Sequence, residues 1–353
     1  MALRVETLLP LGKVDPGLLA PETRLEIGTV AEDARLLEEV GYGGLVVEET
    51  KDDPFTVLAL AAQATTTLHL GTAVAIAFAR SPTVTALNAW TLSKLSGGRF
   101  TLGLGSQVRA HVVRRFGMPW SAPAPRMREY VAAVRAVWDC WQHGERLAFH
   151  GEHYALDLMV PLFDAGPIEH PDIPIHLAAV NPRMCAVAGE VADGIRPHPV
   201  CTPSYIREVM VPADRRGAER AGRALPDDFR IAMKPLVATA RTEQELVAKV
   251  RDARARIAFY ASTPGYRAAF AHLGLEELAT EAATLSRARR WEELPELVDD
   301  DVLGRFAVIG THDVVADRLR ERYDGVVTDV EFSVAVADER DRATLAGIPV
   351  ALA

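Results

Sequence analysis

Eight short apolar runs recur along this chain, and most of them are separated by stretches with helical periodicity. The runs are Val5–Leu9, Gly44–Glu48, Leu68–Ala77, Arg99–Gly105, Ile173–Ala179, Gly194–Pro197, Arg230–Thr239 and Val327–Phe332. Runs of this length between turn residues read as buried strands. The intervening stretches read as helices with legible ends. Glu22–Val40 places Ile27, Val30, Ala31, Ala34 and Leu37 on one face and stops at Gly41. Pro54–Thr66 follows Asp53, a residue suited to an N-cap. A helix running to Leu95 opens on Ser81-Pro82, a cap followed by proline at the first helical position. Strands joined by helical crossovers must lie parallel.

Eight such units in 353 residues predict an α/β protein, a (β/α)8 barrel of a usual ~250 residues with insertions. One insertion, about 107–172, follows the fourth strand and holds a helix over Pro125–Trp141, a hairpin at Leu147–Leu156 and a Pro/Gly-rich loop to Pro174. The second, about 243–303, follows the seventh strand, is largely helical, and carries Asp299–Asp301, read as a solvated turn. An open doubly wound sheet with an appended helical domain is the rival. No polar linker divides the chain, which favours a single barrel domain over 1–353.

Hydrophobic residues at 49% and a formal charge of -9 predict a globular protein without a nucleic-acid surface. Cys140, Cys185 and Cys201 show no C-x-x-C spacing, which fits a reducing cytoplasm. No apolar run is long enough to span a bilayer, so no membrane partner is expected.

Barrel active sites lie at the C-terminal ends of the strands. The most informative such end closes Ser96-Gly97-Gly98-Arg99-Phe100-Thr101-Leu102-Gly103-Leu104-Gly105, where a Gly-Gly turn leads into a strand whose own glycines admit close approach. Ser106, Gln107, Arg109 and His111 follow at once. Val108 stands where a dinucleotide fingerprint needs its third glycine, so that motif is absent. The third strand ends in Gly71-Thr72-Ala73-Val74-Ala75-Ile76-Ala77, small enough to seat a flat ring or simply to fill a narrow barrel layer. After the fifth strand, Ala179-Val180-Asn181-Pro182-Arg183-Met184 opens a helix. It is either an ordinary capped helix or an anion site made by the helix terminus and Arg183. His111, Arg114 and Arg115 share a helical turn and make either a local anion patch or a solvated face.

Several motifs together resemble the bacterial luciferase-like flavin and deazaflavin oxidoreductases. They are Gly97-Gly98-Arg99-Phe100-x-Leu102-Gly103-Leu104-Gly105, Phe149-x-Gly151-Glu152-x-Tyr154, and Asn181-Pro182-Arg183-Met184 running to Ala192-Asp193-Gly194. Glu49-Thr50-Lys51-Asp52-Asp53-Pro54-Phe55, Ala77-Phe78-Ala79-Arg80-Ser81-Pro82 and Phe116-Gly117-Met118-Pro119-Trp120 are similar to the branch assigned to the deazaflavin F420. The resemblance runs from the first strand to Phe332 and implies a barrel with the ring against Thr72, Ala73 and Val74. It also implies a β-bulge there, often with a non-prolyl cis peptide, and a phosphate site over Val180–Met184. Relatives commonly dimerise, so a homodimer acting on a small molecule is expected.

The chain departs from the family where the acid and base usually stand. Thr50 and Asp52 occupy the place of a histidine after the second strand, and Val108 that of a glutamate after the fourth. Glu49 becomes the first candidate acid or base, with Asp52, His111 and His198 as others, while Asp53 reads as a helix cap. His198 either faces substrate or packs structurally. Ser262, Thr263 and Tyr266 are placed by position on a loop over the substrate. His150 and His153 lack a third ligand, so no metal is expected. Three activities follow: hydride exchange with F420, monooxygenation with FMN, or ligand binding without catalysis.

Overall fold

The computed structural model describes residues 3–13 and 24–353. Its strands in chain order are β1 (Arg4–Leu8), β2 (Gly44–Val47), β3 (His69–Thr72), β4 (Ala75–Ile76), β5 (Phe100–Gly105), β6 (Phe149–His150), β7 (Ala155–Leu156) and β8 (Ile175–Ala179). They continue as β9 (Gly194–Pro197), β10 (Arg230–Met233), β11 (Leu236–Ala240), β12 (Ala307–Thr311) and β13 (Asp329–Glu331). The main sheet has the order β3-β2-β1-β13-β10-β9-β8-β5-β4 and closes through a β3–β5 pairing. Every pairing in it is parallel. Since β3 and β4 are two halves of one stave, this is the expected eight-stave barrel with helices outside.

The helices α1 (Val30–Glu39), α2 (Pro54–Ala64), α3 (Pro82–Ser96), α4 (Pro123–His143) and α5 (Pro182–Val191) fill the expected places. The predicted helical start at Glu22 lies outside the described residues. Local chemistry sets the other ends. Ser81 accepts from the Val84 N–H and Asp53 from the Thr56 N–H, each with proline next in the chain. Gly97 and Gly98 both take positive φ, 63° and 82°, and turn the chain from α3 into β5. A side chain on Gly98 would strike His170 at 2.6 Å, so the first insertion packs directly on this turn.

Three expectations need correction. The seventh strand does not run unbroken from Arg230 to Thr239. It stops at Met233, because Pro235 has no N–H to continue a ladder, and the chain leaves the barrel. Residues Leu236–Ala240 instead pair with β12, a strand the sequence reading missed, in a separate two-stranded parallel sheet. Thr239 and Ala240 therefore do not border the barrel mouth; Lys234 does. Asp299 is no solvated turn but the cap of the helix Asp300–Phe306, accepting from the Val302 N–H at 2.8 Å.

Side chains alternate along each strand. Val5, Leu45, Leu102, Leu104, Leu177, Ile195 and Val330 are buried with the helices. The other face of several strands puts charge inside the barrel. At the lower end, the fully buried Asp329 accepts from Arg4 at 2.5 Å and twice from Arg230, at 2.7 and 2.9 Å. Burial alone would raise this carboxyl, but the hydrogen bond from Arg230 and the charge of Arg4 hold it below the usual range. His176 beside them is pushed down to about 3 by burial and by the charge of Arg196.

Candidate functional site

The wall of the site is built where β3 gives way to β4. Gly71 pairs with Thr101, and the next register point pairs Ala75 with Leu104. One stave therefore spends one more residue than its neighbour between these points, which defines a β-bulge. The Ala73–Val74 peptide within it is cis. The Thr72 hydroxyl spans the gap, donating to the Gly103 carbonyl at 2.6 Å and accepting from the Gly103 N–H at 2.9 Å. A Cβ on Gly103 would lie 1.8 Å from the Thr72 carbonyl oxygen, and one on Gly105 would lie 2.5 Å from Val74 Cγ2. Only glycine permits this approach. The result is a wall of backbone and small side chains on one side of the mouth.

Glu49 works on this wall. Its N–H donates to the Val74 carbonyl, and its carboxylate accepts from the Ile76 N–H at 2.7 Å and from Arg80. Arg80 also reaches Asp53 at 3.2 Å, which caps α2. Glu49, the first candidate acid or base, thus also clamps both sides of the bulge. Asp52 stands nearby, half-buried in a cavity of about 250 Å³ shared with Leu9, Lys13, Val47 and Glu48.

The fifth-strand exit forms as a capped helix. Asn181 accepts from the Arg183 and Met184 N–H groups, both at 3.1 Å, with Pro182 between cap and helix. Tyr205 donates to the Val180 carbonyl at 2.9 Å and fixes the approach from Ala179. The cap side chain already occupies two N–H groups, so an anion here would meet the exposed Arg183 guanidinium and the helix dipole. Beside it opens a cleft of about 910 Å³ between the start of α4, α5 and the helix Val211–Arg220, rimmed by Arg128, Arg183, Arg216 and Arg220.

Ser106, Gln107, Arg109 and His111 all leave β5 toward the mouth. Gln107 has φ 56° and turns its own amide oxygen onto the Val108 N–H at 2.8 Å. His111–Arg115 form a single π-helical turn, with His111, Arg114 and Arg115 exposed. Arg115 donates to the Thr50 carbonyl at 2.8 Å, joining this turn to the exit of β2. Arg109 and Arg114 add charge to the same rim.

His198, after β9, is covered by the second insertion. Tyr266 stacks on it at 4.0 Å and 25°, and Tyr260 meets it edge-on at 4.6 Å. The Val200 N–H donates to its Nδ1 at 3.3 Å. Tyr266 thus packs on the residue that follows the end of β9.

Sequence reasoning missed the charged interior below the mouth. Arg196 grips Glu6 with both terminal nitrogens, at 2.7 and 3.2 Å. Its Nε has no hydrogen-bond partner among the described residues and stands 3.4 Å from the space a Cβ on Gly103 would fill. Glu48 accepts from Lys13 at 2.9 Å and from Lys234 at 2.5 Å. Glu331, 8% exposed, lies 4.0 Å from Lys234. Burial, reinforced by the neighbouring charges of Glu48 and Glu6, pushes the Glu331 carboxyl up to about 8. Charged residues inside apolar strand runs were the available signal, since such groups must find partners.

Comparison with known proteins places this architecture. Residues 9–329 match the sequence profile described as luciferase-like monooxygenase. An uncharacterized protein of Mycobacterium tuberculosis is 44% identical over 305 residues, covering 86% of this chain and 89% of its own. The 5,10-methylenetetrahydromethanopterin reductase of Methanopyrus kandleri is 26% identical over 297 residues, 81% of this chain and 82% of its own. The solved coenzyme F420 dependent tetrahydromethanopterin reductase from that organism superimposes with a TM-score of 0.73 at 24% identity, covering 99% of this chain and 97% of that one. The oxygenating constituent of 3,6-diketocamphane monooxygenase from Pseudomonas putida, solved in complex with FMN, gives 0.65 at 16%, over 99% and 97%. On the profile match and the 44% relative, the chain belongs to the luciferase-like monooxygenase family.

Proposed function

We propose that this protein is an F420-dependent oxidoreductase that exchanges a hydride between the deazaflavin and a small organic substrate. The observation that carries the reading is the bulged wall, where Gly103 and Gly105 leave room that any side chain would fill. Ala73 and Val74 would bed one edge of a flat ring, and the unpartnered Arg196 Nε offers a donor beneath it. Arg109, His111, Arg114 and Arg115 would meet the more anionic parts of the cofactor. When bound, the deazaflavin accepts or donates the hydride; the protein orients the reactants, excludes water and handles a proton.

FMN monooxygenation is the second reading, favoured by the FMN-bound neighbour of the same fold. Titration of the purified chain with oxidised F420 and with FMN, at low and moderate salt, separates them. F420 binding that is tighter than FMN binding and weakens with salt is expected; preference for FMN refutes the F420 reading.

The chain is further proposed to act as a homodimer through α2 and α3. Leu60, Val84 and Leu87 on these helices are exposed by 39%, 49% and 48%.

A further inference from the structure

Three carboxyl groups face one another inside the upper barrel, and their surroundings differ. Glu6 on β1 is held in two hydrogen bonds by Arg196 from β9. Glu48, at the exit of β2, takes hydrogen bonds from Lys13 and from Lys234 at the exit of β10. Glu331 ends β13 and makes no side-chain hydrogen bond among the described residues; its nearest cation, Lys234, is 4.0 Å away and already bonded to Glu48. The Asp329 group lies one interior position lower on the same strand, engaged by Arg4 and Arg230. Two of the three upper carboxyls therefore have cations in hydrogen-bond contact, while the third is buried without one at that distance among the described residues.

Position gives this difference a use. In the sheet order, three staves separate β13 from β5 in either direction, so Glu331 lies across the barrel from the small-residue wall. A substrate held against a ring on that wall has Glu331 on its other side.

We infer that Glu331 is the proton store of the site, the group that gives a proton to the substrate or takes one from it. The inference rests on the hydride-transfer reading and adds a buried acid to its candidates Glu49, Asp52, His111 and His198. In the reductive direction the reduced deazaflavin supplies the hydride. The substrate heteroatom that gains the electron pair forms a new bond to the Glu331 proton as the Glu331 O–H bond breaks. The carboxylate left behind is met by the Lys234 ammonium. Oxidation runs the same proton transfer backwards, from the substrate to the carboxylate.

Infrared difference spectroscopy of the cofactor-free protein, titrated through pH 8, tests the protonation directly. Asp214 is also expected to hold a proton in this range, so the Asp214→Asn variant is the background. That variant should lose a carboxylic acid band as pH rises through about 8, and adding Glu331→Gln should remove the band. Lys234→Met removes a cation that favours ionisation, so the band should persist to higher pH. No band in Asp214→Asn, or a band that survives Glu331→Gln, overturns the assignment whichever cofactor binds. In turnover of ketones with reduced F420, Glu331→Gln should lower kcat about 100-fold and abolish its fall above pH 8, with F420 affinity kept. An unchanged kcat overturns the role. Failure of the wild-type chain to bind F420 overturns the parent reading, while the infrared result still decides the proton.

Discussion

At the scale of single residues, Gly103 carries the least tolerance. Its Cα faces a carbonyl oxygen of the adjacent stave, and a methyl group would stand 1.8 Å from it. The two nearest atoms, at 1.8 and 3.0 Å, are Thr72 backbone, which cannot yield as a flexible side chain would. Gly103→Ala is therefore expected to lower the melting temperature and abolish cofactor binding together, read by thermal unfolding and by titration. A variant with normal stability and normal affinity would show that the wall adapts without consequence. The charged residues present the opposite case, in which each group was visible but its partner was not. Glu6 and Arg196 are 190 positions apart, and only closure of the barrel brings them to 2.7 Å. A strand run such as Asp329-Val330-Glu331-Phe332 does not reveal which charges will be satisfied. This is why Lys234 and Glu331 escaped notice while Glu49, conspicuous at a strand end, drew attention to itself.

At the scale of elements, the helix starts were legible because their chemistry is local. Ser81, Asp53 and Asn181 each cap with their own side chains, and the following proline marks the boundary. Asn181→Ala is expected to cost about 0.5–2 kcal/mol of stability, measured by denaturant unfolding. If the terminus also meets the cofactor phosphate, the same variant changes F420 affinity; if it is a cap alone, affinity stays as it was. The bulge was not legible from local pattern, since it is a difference in register between β3–β5 and β4–β5. The break in the seventh strand was legible at Pro235 and was passed over because the apolar pattern resumes at once with Leu236-Val237.

At the scale of the whole molecule, buried titratable groups set a stability profile with pH. Burial raises Asp214 and Glu331 to about 8, well above their unfolded values, so the native state holds protons that the unfolded chain has lost. Stability accordingly falls as pH rises from the usual carboxylate range to about 8. Asp214→Asn should flatten that fall, as read from urea midpoints across the range. His176 acts in the other direction. Its folded value of about 3 means that the unfolded chain gains a proton first, so stability also falls as pH drops below 6.5. Two carboxyls outweigh one histidine, so on these groups the maximum is expected near the unfolded carboxylate values, about pH 4, with a decline from there to about pH 8. The proposed dimer is checked by light scattering; Leu87→Arg should give single chains without loss of folded structure.

The parallel pairing of β11 with β12 has a further consequence. These strands lie side by side, Leu236 opposite Ala307 and Ala240 opposite Thr311, although more than sixty residues separate them. As a parallel crossover requires, the helices between leave after Ala240 and return at Ala307, at opposite ends of the pair. The cover over His198 is in that sense a cassette, held to the scaffold by its own two-stranded ribbon. On the proposed function, a change in its length or aromatic face would alter the range of molecules admitted while the staves and the wall kept the chemistry.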